Sequence, residues 1–188
     1  MLKTIKEFKK YVIVTGFKNV KIKDIEDFVK KATKEKELNI EIQFFDAKKV
    51  ATWEHLYFAA FNALMAFKNA RNISKSIAME TMLYASAQRQ IRKAVNIIGI
   101  KPTTSEIALL IIGENPEKVK SALSKISSNL NATDDDAVLE FSEEKKKIIQ
   151  KTFGISDSEL KAVMKKDCLE HALVNLLIER MALLAVQR

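Results

Sequence analysis

The unbroken apolar stretch "IALLII" at 107–112, bracketed by Ser105, Glu106 and Gly113, leaves few folds open to this chain. It falls far short of the roughly 20 apolar residues a membrane span requires. It does not alternate, so it is not a strand with one wet face; it has the pattern of a strand buried on both sides. A sheet built around such a strand has to be covered on both of its faces.

Partners for that strand are readable elsewhere. "KYVIVTGF" (10–17) is short, β-branched and bounded by Lys and Gly, and "NIEIQFF" (39–45) alternates Ile40, Ile42 and Phe44. Between them, Ile25, Phe28, Val29 and Ala32 recur at helical spacing behind Asp24, an N-cap residue. From about Val50 to Phe67, apolar residues step by three and four through Trp53, Tyr57, Ala60 and Leu64, which predicts a long amphipathic helix. After "KNARNIS" a second helix is expected from about Ser74 through Tyr84. Asn115 followed by Pro116 opens another, and Ser142 another that closes at Gly154. The span 127–141 reads as an edge strand, a loop or both, and helix is expected from 157 to the C-terminus. The expected class is a mixed α+β fold. It has a small, mainly antiparallel sheet of about four strands, seven or eight covering helices and a helical C-terminal third. The 188 residues form a single domain, with an α/β core over about 1–141 and a helical part over about 142–188.

One cysteine, Cys168, and two histidines are too few for an internal disulfide or a structural zinc site. With no secretory or membrane-length segment, the reading is a soluble, reducing, cytoplasmic setting without membrane, metal or cofactor. No glycine-rich phosphate loop, nucleophile elbow or kinase signature occurs among four glycines, so no catalytic residue is assigned. Cys168 and His171 stand three apart on a helix, as a thiol and its base would, but apolar neighbours and the lack of a third orienting group favour buried or interfacial roles. Asp134, Asp135 and Asp136 lack calcium-loop spacing and read as a solvated loop. His55, on the polar edge of the first long helix, reads as structural, hydrogen-bonding a neighbouring loop.

The net charge of +8 is unevenly spread. Residues 68–101 carry seven basic side chains (Lys68, Arg71, Lys75, Arg89, Arg92, Lys93 and Lys101) against Glu80 alone. The densest part is "YASAQRQIRKAVNIIGIKP" (84–102). At 100° per residue, Ile91, Ala94, Val95 and Ile98 share one face, while Arg89, Arg92, Lys93 and Asn96 lie opposite, forming a core face and a cationic plate. Ser86 either caps a new helix starting at Ala87, whose free N–H groups would join the arginines as an anion site, or lies within one unbroken helix from Ser74 to Ile98. Such a plate suits nucleic acid, with Tyr84 as a stacking surface, or is simply solvated. The final helix is apolar over well over half its circumference. Its polar stripe is confined to Asp167, His171, Asn175 and Glu179, so the helix is either central to its own fold or shares one face with another protein, and for the last helix the second is favoured.

Residues 55–102, together with "SDSELKAVMKKDCLEHALVNLLIERMALL" near the end, resemble the small regulatory subunit of the KEOPS complex, an archaeal and eukaryotic family that binds the complex's atypical kinase. An Ala- and Asn-containing helix, the run Arg71-Asn72-Ile73-Ser74-Lys75-Ser76, Glu80, the run from Tyr84 to Ile91 and Gly99-Ile100 come in the family's order. At position 87, where Gly fits the pattern, this chain has Ala87. The resemblance implies a non-catalytic subunit of the threonylcarbamoyladenosine modification machinery. Such a subunit binds the single-stranded 3′ CCA end of tRNA, docks on and stimulates the kinase/ATPase subunit, and through it meets the transferase subunit. Carried onto this chain, Arg71, Lys75, Arg89, Arg92 and Lys93 are expected at phosphates. Asn72, Tyr84, Ser86 and Gln88 are expected at bases or riboses, and Leu173, Leu177, Met181 and Leu184 at the kinase. The alternatives are a general protein-interaction module with a solvated basic face, or a small hydrolase or transferase using Cys168 and His171.

Overall fold

The computed structural model describes residues 2–34, 39–130, 132–164 and 168–186. In chain order its elements are β1 (Leu2–Ile5), β2 (Lys10–Lys18), α1 (Ile25–Ala32), β3 (Glu41–Asp46), α2 (Trp53–Lys68), α3 (Ile77–Ala85) and α4 (Ile91–Ile98). There follow β4 (Ile107–Gly113), α5 (Pro116–Asn129), β5 (Thr133–Asp134), α6 (Glu143–Phe153), α7 (Asp157–Val163) and α8 (Leu169–Val186). The strands form one sheet in the order β1-β2-β4-β3, with the two-residue β5 also on β2, and all pairings are antiparallel. This is the α+β class expected, with one strand, β1, that the sequence did not announce.

Every residue of β4 is buried. Its hydrogen bonds are taken by β2 on one side and β3 on the other, and its side chains divide by parity. Ala108, Leu110 and Ile112 enter a core covered by α2, α3, α4 and α6 to α8. Ile107, Leu109 and Ile111 enter a smaller core closed by α1 and α5. The same parity runs through β3, where Phe44 points to the smaller core and Phe45 to the larger.

Local chemistry fixes the helix ends. Asp24 accepts from the Asp27 N–H at 2.8 Å, and Asn115 accepts from Glu117 and Lys118, with Pro116 at the first helical position. Ser142 caps α6, Gly154 ends it at φ 61°, and Ser156 with Glu159 forms a reciprocal capping box on α7.

The acidic run is exposed at Asp134 and Asp136, as expected of a solvated segment, and it is also used structurally. Asp136 accepts from the Thr15 hydroxyl (2.7 Å) and the Gly16 N–H (3.0 Å), and Asp135 pairs with Lys18 at 2.6 Å while capping Ala137. These contacts seat the chain so closely on β2 that a Cβ at Gly16 would run into the Val138 side chain and the Asp135 carbonyl. Cys168 is half-buried, whereas His171 is exposed, so of the two readings, buried or interfacial, burial does not hold for the histidine. Asp167 lies outside the described residues. Among the described residues no helix is long and apolar enough to cross a membrane.

Candidate functional site

Two basic corners flank α3. The first begins where α2 ends: Ala70 takes φ 52°, and the Arg71 N–H donates back to Ala66 O at 2.8 Å, closing the helix with a left-handed residue. The following loop is held from inside. The buried carboxylate of Glu80 accepts from the N–H groups of Ile73 (3.0 Å) and Ser74 (2.7 Å), the Asn72 amide donates to Ser74 O, and Ser76 caps α3 through the Met79 N–H. Arg71, Asn72, Ile73 and Lys75 are left on the outside.

The second corner follows α3, and here the structure corrects the sequence reading. Ser86 does not start a helix; it terminates one. Its backbone is the last helical position, its hydroxyl donates to Leu83 O at 3.0 Å, and it is buried. Ala87 takes φ 51°, with its N–H on Tyr84 O and the Gln88 N–H on Leu83 O, a Schellman closure made by alanine where glycine is usual. α4 then starts at Ile91 behind Gln90, which makes no side-chain cap. The break is real, but it lies four residues later than a helix capped by Ser86 requires. Gly99 ends α4 in extended backbone. Glycine is required there because a Cβ would press on the Val95 carbonyl.

Arg89, Arg92 and Lys93 are exposed, as are Arg71 and Lys75, and none of the five is in an ion pair among the described residues. The simple division of α4 into core face and plate does not survive. Ala94 and Ile98 are buried, but Ile91 and Val95 are 43% and 38% exposed, so apolar surface borders the arginines. Ser86 and Tyr84 turn inward: Tyr84 is only 7% exposed and offers no ring face to a base. Its burial, followed by the nearby charge of Glu80, raises its hydroxyl pKa. Gln88 is half-buried and, with Ser86, Ala87, Ile97, Arg180 and Leu183, borders a groove of about 450 Å³ between this corner and α8. The nine residues of α3 set the two basic corners roughly 13 Å apart at 1.5 Å per residue.

His55 ties the second corner to the core. It is fully buried in α2, not on a polar edge. It accepts the Ala51 N–H at Nδ1 (3.3 Å), which leaves Nε2–H to donate to Ala85 O (2.9 Å), the residue before Ser86. Burial lowers its pKa to about 4, aided by the charge of Lys145 and opposed by the Ala85 hydrogen bond.

α8 packs on α2, α3 and α7. Leu173, Leu177, Met181 and Leu184, expected at a partner, are buried in the chain's own core. The wide apolar arc of the helix is consumed by three helical neighbours. Its outward stripe is instead His171, Asn175, Ile178, Glu179, Ala182 and Leu183, the last 48% exposed. Arg180 binds the end of α6 through the carbonyls of Phe153 and Gly154 and pairs with Glu159 at 3.3 Å.

The sequence model of the family described as kinase binding protein CGI-121 matches residues 17–185, from β2 to α8. The chain belongs to the CGI-121 family. It is also 34% identical over 118 residues to the regulatory protein Cgi121 of Methanocaldococcus jannaschii, a match covering 63% of this chain and 73% of that protein. The family agrees with the resemblance carried by the central run, and it points to a kinase as partner. For a CGI-121 protein the exposed isoleucines and valine at 73, 91 and 95 are the surface features that sequence reasoning missed. Hydropathy periodicity assigns such residues to the core, and only the unbalanced cations beside them hinted otherwise.

Proposed function

We propose that this chain is the non-catalytic small subunit of the KEOPS tRNA-modification complex, holding the single-stranded 3′ CCA end of tRNA on the α3–α4 surface while docked on the kinase/ATPase subunit. Through that subunit it meets the threonylcarbamoyl transferase subunit. The observation that carries the reading is the set of five exposed cations, Arg71, Lys75, Arg89, Arg92 and Lys93, with no carboxylate paired to any of them among the described residues. Unpaired arginines bordered by exposed apolar residues and a groove suit a flexible strand that brings both phosphates and unstacked bases. Gln88, beside the groove, is the base or ribose contact, and Asn72 borders the first corner.

The outward stripe of α8, with Ile178, Ala182 and Leu183, is the docking face for the kinase, in place of the buried leucines. Its apolar character at the end of the last helix supports this assignment.

Charge reversal tests the RNA half. Arg89→Glu and Arg92→Glu should each weaken tRNA binding and lower the slope of log K against log salt by about 0.7 for every single-strand phosphate that is no longer neutralised, leaving the melting temperature unchanged. Wild-type affinity in both variants would return the basic surface to mere solvation. Ala182→Asp, on the outward stripe and away from the groove, should abolish co-purification with the kinase while tRNA binding persists, and retained co-purification would remove α8 as the docking face.

A further inference from the structure

We infer that Ile73, held outward between Arg71 and Lys75, is the apolar contact for an unstacked base of the bound RNA end, and that buried Glu80 is the positioning residue that keeps it there. The inference rests on the tRNA-end reading above and deepens it at one corner.

A buried carboxylate is costly unless it is fully hydrogen-bonded. Glu80, 1% exposed, accepts the consecutive N–H groups of Ile73 (3.0 Å) and Ser74 (2.7 Å) at one oxygen, Oε2, in a small nest formed by the loop backbone. The loop is also tied by the Ser74 hydroxyl to Ser76 O (2.7 Å) and by the Asn72 amide to Ser74 O (2.9 Å). With its polar backbone turned inward and Ser74 buried, the side chains at 71, 73 and 75 are left facing solvent.

Ile73 is 43% exposed, and its β-branched side chain is stiff. Glu80, buried with its Oε2 on the loop's backbone N–H groups, makes no ion pair with Arg71 or Lys75 among the described residues, and the charges of those two remain available. A rigid apolar contact between two free cations matches a strand presenting a base face between successive phosphates. Fixing the loop in advance also removes ordering cost from binding.

The test uses the full chain and a short fluorescent single-stranded RNA ending in CCA, read by anisotropy from about 50 to about 200 mM salt. Ile73→Ser should weaken binding about tenfold at every salt concentration without changing the salt slope. Glu80→Leu removes the oxygen that accepts both N–H groups. It should reduce the slope by about 1, as Arg71 and Lys75 lose their placement, and should speed trypsin cleavage after Arg71 and Lys75 in the RNA-free protein. A merely structural Glu80 would lower the melting temperature while leaving slope and cleavage pattern as in the wild type, and that result overturns its positioning role. Wild-type binding by Ile73→Ser overturns the base contact. If the unmutated chain ignores the RNA, both this inference and the tRNA-end reading fall; if it binds and both variants match it, this inference alone falls.

Discussion

His55 makes the stability of the corner before Ser86 depend on pH. In the fold the imidazole is fully buried with its pKa lowered to about 4, whereas in the unfolded chain it returns to 6.5. The unfolded state therefore takes up a proton first as pH falls. The stabilisation is fully present above pH 6.5, is lost progressively from 6.5 to about 4, and changes no further below that. At about 1.4 kcal/mol per pH unit the whole interval amounts to about 3 kcal/mol, and the part lost by pH 5 is about 2 kcal/mol. His55→Phe keeps the edge-on ring contact with Phe153 (centroids 5.8 Å apart) but cannot titrate, and it leaves the Ala51 N–H and Ala85 carbonyl unpaired. It should be less stable than wild type by about 2–4 kcal/mol at pH 7.5. Urea unfolding of both proteins at several pH values isolates the histidine, since carboxylates common to both cancel in the difference. The gap should narrow by about 2 kcal/mol between pH 7.5 and 5. Parallel stability curves would refute the idea that a buried neutral imidazole holds this corner.

Lys145 carries a dependence of the same sign in a higher pH window: burial, partly offset by Glu106 and Glu140, lowers its pKa to about 8, so it loses its proton in the fold before the unfolded chain does. Wild type should gain about 2 kcal/mol on Lys145→Met between pH 8 and 9.5 by urea unfolding, and a constant gap would contradict the shift. Leu173→Ala should cost about 2–5 kcal/mol in the same assay, as expected of a core position and not of a partner contact. Ala87→Gly should stabilise by about 1 kcal/mol, because φ 51° strains any residue with a Cβ; a drop in melting temperature would mean that the turn is not strained.

The central strand, the antiparallel partners and most helix caps were legible because each rests on a local signal. Examples are an unbroken apolar run at Ile107–Gly113, Asn115 before Pro116, and Ser142 paired with Gly154. β1 was hidden because four residues, one of them fully buried, carry too little pattern. The helix boundary at Ser86 was hidden because serine caps either end, and because the left-handed position that usually reveals a C-terminus by its glycine holds Ala87. Charge was the most reliable guide to the basic surface, since an unpaired cation is pushed to solvent by its own desolvation cost. Apolar periodicity misled on α4 and α8 for one reason: it predicts a buried face but not how many neighbours share the helix. α8, with three neighbours, buries Leu173, Leu176, Leu177 and Leu184, while the eight-residue α4 leaves Ile91 and Val95 outside.

The central claim is that the α3–α4 surface holds the single-stranded end of tRNA. The direct measurement is the affinity of the full chain for intact tRNA and for the same tRNA trimmed of its 3′ CCA, at about 150 mM salt, where nonspecific phosphate attraction is screened. Intact tRNA should bind at least about tenfold more tightly, a difference of about 1.4 kcal/mol. Equal affinity for the two would contradict the claim.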